Sequence, residues 1–164
     1  MELSTPFRVG LGYDSHRFES SRPLILGGIT IPDHPGLAGH SDGDAVTHAL
    51  IDAILGAVSL GNVGTHFPPT EERWKDADST ELLSNSVEVI DREGWMVVNV
   101  DLTVICESPQ ISLFAPEMKE RLSDVLRVPV ERISIKGKTN EGMGWIGESK
   151  GLAVHAVALL ERSR

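Results

Sequence analysis

The sequence predicts an α/β sandwich, one sheet with helices packed against one of its faces. Three observations carry this. Segments rich in Val and Ile alternate with segments whose apolar residues recur at helical spacing, and short connections join them. The 164 residues suit one compact domain spanning 1–164 and are too few for two comfortable ones. At 40% hydrophobic, the chain can bury a core without a disulfide or a metal to hold it.

Taken in order, Phe7 to Tyr13 predicts a strand whose Gly10 and Gly12 admit close backbone approach. Pro23 to Ile31 predicts a hairpin turning near Gly27-Gly28, or a bulged strand, and Asp33 to Gly39 a loop rich in Pro and Gly. From Asp44 to Leu60 the period becomes helical: Val46, Ala49, Leu50, Ala53, Ile54 and Ala57 share one apolar face. Ser41 or Asp42 is placed to cap that helix, and Asp44, His48 and Asp52 form a polar stripe on another face. Gly61 to Lys75 has little periodicity and is expected to be a mobile loop. Asp78 to Glu93 predicts a second helix, opened by an Asp78/Glu81 capping box and closed by Gly94. Trp95 to Cys106 predicts a strand broken by Ser108-Pro109, and Pro116 opens a third helix whose apolar face is Met118, Leu122, Val125 and Leu126. Arg132 to Lys138 predicts a strand, Thr139 to Gly151 with its four glycines a loop, and Gly151 to Arg162 a final strand in preference to a helix.

Charge and composition exclude several classes of partner. A net charge of -9, from 24 acids against 15 bases, argues against nucleic acid, which is held by clustered Lys and Arg. Polybasic or amphipathic anchors are missing, and the apolar runs fall well short of a bilayer span. The lone Cys106 excludes an intramolecular disulfide and suits a reducing compartment. Residues 1–6 are too short to act as a leader, so a cytoplasmic location is expected.

Two stretches carry the chemistry. Asp14 and His16 stand at i and i+2 at the end of a strand, so both point to the same face, and His48 projects from the polar stripe of the first helix. Two histidines and a carboxylate make a catalytic zinc set with one position left open, although the same donors also suit iron or manganese, and a D-x-H triplet arises by chance in many chains. Asp44 or Asp52, one turn from His48, is placed to orient its second ring nitrogen. His40 and Ser41 stand where a helix N-terminus would favour an anion, the plainer alternative being a Ser41 cap beside a solvated His40. Lys136 to Gly142 offers a second anion grip through Lys138, the Thr139 hydroxyl and exposed amides, with Glu141 as an oxygen ligand for Mg²⁺; a plain turn explains the same residues.

Six motifs in order bring a family into view: G-Y-D-S-H-R-F from Gly12, L-I-L-G-G-I-T-I-P from Leu24, G-H-S-D-G-D-A-V-T-H-A-L from Gly39, G-N-V-G-T-H-F-P from Gly61, N-V-D-L-T-V-I from Asn99 and K-T-N-E-G-M-G-W from Lys138. Together they resemble the 2-C-methyl-D-erythritol 2,4-cyclodiphosphate synthase family, from about Arg8 to Leu160. The resemblance implies a homotrimer of subunits with a four-stranded mixed sheet and helices on one side, with active sites between neighbours. It implies a lyase of the non-mevalonate isoprenoid pathway that converts 4-diphosphocytidyl-2-C-methyl-D-erythritol 2-phosphate to the cyclic diphosphate and CMP. Carried over, Asp14, His16 and His48 ligate one zinc per subunit, and Glu141 ligates Mg²⁺ or Mn²⁺ on the diphosphate. His40 and Thr139 become the catalytic pair that stabilises the transferring phosphoryl group. Substrate contacts fall to Asp14, His16, His40, Ser41, Asn62, Val63, Gly64, Phe67, Cys106, Pro109, Gln110, Ile111, Ser112, Lys138, Thr139, Asn140, Glu141 and Trp145, with Cys106 to Ser112 around cytosine beside Lys138 and Thr139 of an adjacent subunit. Where the family often has Asp, Lys, Arg and Glu, this chain has Asn62, Gln110, Glu148 and His155. The last two are expected to pair and to leave an axial cavity of the trimer poor at binding isoprenoid diphosphates. Two other functions fit the same residues: a metal-dependent phosphohydrolase and a non-catalytic binder of isoprenoid phosphates.

Overall fold

The computed structural model describes residues 5–163, so residues 1–4 of the N-terminal stretch read as too short for a leader lie outside the described residues. The strands are β1 (Phe7–Leu26), β2 (Ile29–Leu37), β3 (Trp95–Ile105), β4 (Ile133–Lys138) and β5 (Gly151–Arg162), in spatial order β2-β1-β5-β3-β4. The helices are α1 (Ala45–Ala57), α2 (Val63–His66), α3 (Ser79–Arg92), α4 (Ala115–Leu126) and α5 (Gly144–Gly147). β3 and β4 run parallel and the other neighbours antiparallel, so the sheet is mixed. It has five strands rather than the expected four: β1 is 20 residues long and continues past its pairing with β5, which ends at Arg17, so that its far part pairs with β2 as a hairpin. The hairpin turns at Gly27 and Gly28, both at positive φ.

The expected loop at Asp33 to Gly39 is instead mostly β2. Its prolines are tolerated because β2 lies at the edge of the sheet, where a missing N–H costs no ladder bond. The expected mobile loop at Gly61 to Lys75 contains α2 and a single 3₁₀ turn at Glu72–Trp74. Asn62 caps α2 by accepting from the Thr65 N–H at 3.0 Å. The cap of α1 is Asp44, not Ser41 or Asp42. At α3, Asp78 accepts from the Thr80 N–H at 2.8 Å, and Gly94 follows the helix at positive φ.

What positions the site is the contact between β1 and α1. A Cβ added to Gly10 would lie 1.9 Å from the Ala53 carbonyl oxygen, and one added to Gly12 would lie 1.8 Å from that of Ala49. The two glycines therefore let α1 lie directly on the strand backbone, one residue from His48. The helix-facing positions of β1 continue from Gly10 and Gly12 through Asp14 and His16, as the period of two requires. The opposite positions, Phe7, Val9, Leu11 and Tyr13, are half to two-thirds exposed on the face that no helix covers. The buried side chains form one cluster drawn from all five strands and from α1, α3 and α4. No helix among the described residues is long and apolar enough to cross a membrane.

Candidate functional site

Asp14, His16 and His48 converge so that one donor atom from each lies within 4.8 Å of the other two. Asp14 Oδ2 sits 2.9 Å from His16 Nε2 and 3.1 Å from His48 Nδ1. Burial alone would raise the Asp14 carboxyl, but hydrogen bonds and charge from both histidines outweigh it and hold the group at about 2. Burial would likewise lower His16, and its bond to Asp14 reverses that and raises it. The donor set fits a divalent metal. Each histidine aims one nitrogen at the carboxylate while its other nitrogen is occupied elsewhere, which is how metal-binding imidazoles are held. His16 Nδ1 lies 2.5 Å from the Ala38 carbonyl oxygen. His48 Nε2 lies 3.0 Å from Ser41 Oγ and 2.9 Å from Ser79 Oγ.

Neither Asp44 nor Asp52 orients His48. Asp44 is fully buried and accepts from the N–H groups of Gly27, Gly28 and Thr47 and from the Thr47 hydroxyl, so its carboxylate ties the hairpin turn to the start of α1. Asp52 accepts from the Val63 N–H at 2.7 Å and anchors α2. Burial raises the pKa of both. Ser79, which does face His48, carries no local signal. It reaches the histidine only because α3 packs on α1, and sequence spacing does not reveal that contact. With Asp44 already seated at the helix N-terminus, the anion-favouring position expected for His40 and Ser41 is taken by the protein's own carboxylate. Ser41 turns to His48 instead, and the exposed His40 stays ahead of the helix.

A cavity of about 230 Å³ is lined by Asp14, His16, His40, Ser41, His48, Val63, Gly64 and Phe67, all expected there, and also by Pro69, Trp74 and Leu82. Asn62 caps the neighbouring α2 but is not among its lining residues. The other expected residues gather elsewhere. A second cavity, of about 440 Å³, is lined by Cys106, Glu107, Pro109, Gln110, Ile111, Ser112, Gly137, Lys138 and Thr139. The two cavities share no residue. Asn140, Glu141 and Trp145 lie in the loop and short helix beyond Thr139 and line neither cavity. Thr139 donates its hydroxyl to Glu141 Oε1 at 3.2 Å, and Glu107 Oε1 accepts from the Asn140 N–H at 2.8 Å, joining the loops after β3 and β4. The expected Glu148–His155 pair does not form within the chain: Glu148 pairs with Lys150, and His155 stacks on Tyr13 with ring centroids 5.1 Å apart.

The profile of the YgbB family matches residues 7–161. The 2-C-methyl-D-erythritol 2,4-cyclodiphosphate synthase of Symbiobacterium thermophilum is 51% identical over 93% of this chain and 97% of its own length. Among solved structures, the bifunctional IspDF of Campylobacter jejuni superposes with a TM-score of 0.92 at 37% identity, covering 95% of this chain and 42% of that one. The IspF of Plasmodium falciparum, in a complex with CDP, superposes with a TM-score of 0.86 at 34% identity, covering 98% of this chain and 100% of that one.

Proposed function

The chain belongs to the YgbB family, and from that premise we propose that it is a lyase of the non-mevalonate isoprenoid pathway. In this reading it converts 4-diphosphocytidyl-2-C-methyl-D-erythritol 2-phosphate to 2-C-methyl-D-erythritol 2,4-cyclodiphosphate and CMP. The observation that carries the reading is the convergence of Asp14, His16 and His48 at one wall of a cavity, in a chain half identical to a synthase of that name.

An oxygen of the 2-phosphate attacks the β-phosphorus. A P–O bond forms there, the bond to the oxygen bridging the α-phosphate breaks, and CMP leaves with that oxygen and its electron pair. The attacking phosphate is already ionised at neutral pH, so the residues have positioning and charge stabilisation to perform rather than proton abstraction. Asp14, His16 and His48 would hold a divalent ion, zinc by the nature of the donors, which when bound supplies Lewis-acid polarisation of the β-phosphate. Glu141 is the candidate for Mg²⁺ or Mn²⁺ on the diphosphate. His40 and Thr139 donate hydrogen bonds to the transferring phosphoryl oxygens, and Ser41 to the neighbouring phosphate. Asn62, Val63, Gly64 and Phe67 contact the methylerythritol skeleton. Cys106, Pro109, Gln110, Ile111 and Ser112 cradle cytosine beside Lys138, and Asn140 and Trp145 complete the substrate contacts.

The separation of the two cavities supports a homotrimer in which each active site takes His40 from one subunit and Thr139 from the next. The uncovered sheet face, with Phe7, Val9, Leu11, Tyr13, Met96 and Val157, is the apolar surface such a contact would bury. A single domain over 1–164, working in the cytoplasm, is supported by the one buried cluster and by the buried free thiol of Cys106.

Incubation with the substrate, followed by phosphorus NMR, tests the reaction. Cyclic diphosphate appearing with CMP is the expected result. A phosphate product without the cycle would make the protein a phosphohydrolase, and binding without CMP release would make it a non-catalytic binder. Light scattering that gives the mass of a monomer would break the shared-site arrangement.

A further inference from the structure

His16 and His48 are held by different means. The outer nitrogen of His16 meets a backbone carbonyl, which no substitution removes. The outer nitrogen of His48 meets only two serine hydroxyls, and those serines are not equivalent. Ser79, fully buried at the first turn of α3, donates its hydroxyl to Asp42 Oδ1 and its backbone N–H to Asp42 Oδ2 at 2.9 Å. The same carboxylate accepts from the Asp44 N–H at 3.0 Å, which fixes it to the start of α1.

A hydroxyl has one proton to give. That of Ser79 is committed to a carboxylate oxygen, so Ser79 Oγ meets His48 as an acceptor, and only an Nε2–H on the ring can complete the bond. The proton on Nε2 leaves Nδ1 as the lone-pair nitrogen, and Nδ1 is the atom that faces Asp14. With Nε2 already a donor, Ser41 has no proton to give to the ring. Its own hydroxyl proton is left for the cavity that it lines with Asp14, His16 and His40.

We propose that Ser79 and Asp42 are a positioning pair: through an Asp42–Ser79–His48 chain they set the tautomer of His48, present Nδ1 as a metal ligand and free the Ser41 hydroxyl for an anionic oxygen of the substrate. The inference rests on the metal-binding role given to the triad above. It assigns a function to the N-terminus of α3 beyond its packing against α1 and the bond from Arg121 of α4 to the Thr80 hydroxyl.

The test compares zinc affinity, by competition with a chromophoric chelator, in the wild type, Ser79→Ala and Asp42→Asn. Both variants are expected to bind zinc about 10- to 100-fold more weakly, the usual effect of removing the partner of a metal-bound imidazole. A second measurement separates positioning from general loosening. In zinc-loaded protein labelled at histidine nitrogen, the Nδ1 proton of His16 and the Nε2 proton of His48 both resist exchange in the wild type. In Ser79→Ala the His48 proton exchanges rapidly while the His16 proton stays protected. Equal loss at both rings would mean that Ser79 is only structural and would overturn the inference. So would wild-type zinc affinity in Ser79→Ala with the His48 proton still protected. A wild-type protein that takes up no zinc would overturn the metal role itself, and this inference with it.

Discussion

The cavity beside Asp14, His16 and His48 and the cavity at the ends of β3 and β4 are built in opposite ways. The triad wall of the first is built from side chains on regular elements: Asp14 and His16 on β1 and His48 on α1, with Ser79 of α3 behind His48. Each of these is half-buried or buried and held by at least one hydrogen bond. The second is assembled from the loops that leave the parallel strands β3 and β4, the end of a parallel sheet where backbone groups are free to meet a ligand. Only a few side-chain bonds, such as that from the Asn140 N–H to Glu107, tie those loops together. The difference teaches where rigidity was placed. The atoms that would hold a metal are set by side-chain hydrogen bonds between packed elements, and the second cavity takes its form from the segments that follow two strands.

The comparison can be broken most sharply at His48. His48→Ala is expected to cost at least about 10³-fold in CMP release, the scale on which charge-stabilising groups act in phosphoryl transfer. It should lose the bound metal while circular dichroism stays unchanged. Near-normal turnover in metal-free mutant protein would remove the triad from the reaction. Next in size, Gly12→Val forces a side chain into the Ala49 carbonyl and should lower stability by about 3 kcal/mol, read from the denaturant midpoint. An unchanged midpoint would mean that the seat of α1 on β1 is not rigid. Thr139→Val should lower turnover by about 10²-fold, as removal of one donor to a charged transition state does, with zinc affinity untouched. A change in zinc affinity would show that the two cavities are coupled.

The smallest effect concerns Cys106 in the second cavity. Burial, with the Glu107 charge beside it, pushes the thiol up from 9.0 to about 11. At pH 8 only about one thiol in a thousand is then the reactive thiolate, so iodoacetamide should label the folded protein slowly, with the rate rising as pH climbs toward the raised value. Labelling as fast as in denaturant would mean that the loops after β3 and β4 open freely.

What could be read from residues alone follows the same division. The i, i+2 spacing of Asp14 and His16 and the helical stripe bearing His48 were visible, because strand and helix periods fix which way side chains point. Gly10 and Gly12 announced a close approach, and α1 is what approaches. The capping residue and the partners of His48 were not visible. Several acids stood near the start of α1, and only tertiary packing decided that Asp44 would be spent on the hairpin turn and Asp52 on Val63. The start of β2 was legible as the second arm of the hairpin, but its continuation from Asp33 was missed because its prolines read as loop until its place at the sheet edge is known. The residues of the second cavity came from family likeness, since Cys106, Pro109, Ile111 and Gly137 carry no charge pattern or spacing that marks a site.

The alternation along β1 has a consequence beyond this site. From Gly10 to His16 the even-numbered residues face α1 or the cavity beside the triad, and the odd-numbered Phe7, Val9, Leu11 and Tyr13 face outward. Parity along the strand thus works as a reading frame. Loss of a single residue between Phe7 and Tyr13 would turn the apolar side chains before it toward the helix backbone and the glycines outward, if the strand kept its register with β5 beyond that point. Substitutions at the outward positions of this stretch disturb one side chain each, whereas a change in its length disturbs all of those before it. Any segment grafted onto the N-terminal end must therefore join ahead of the strand.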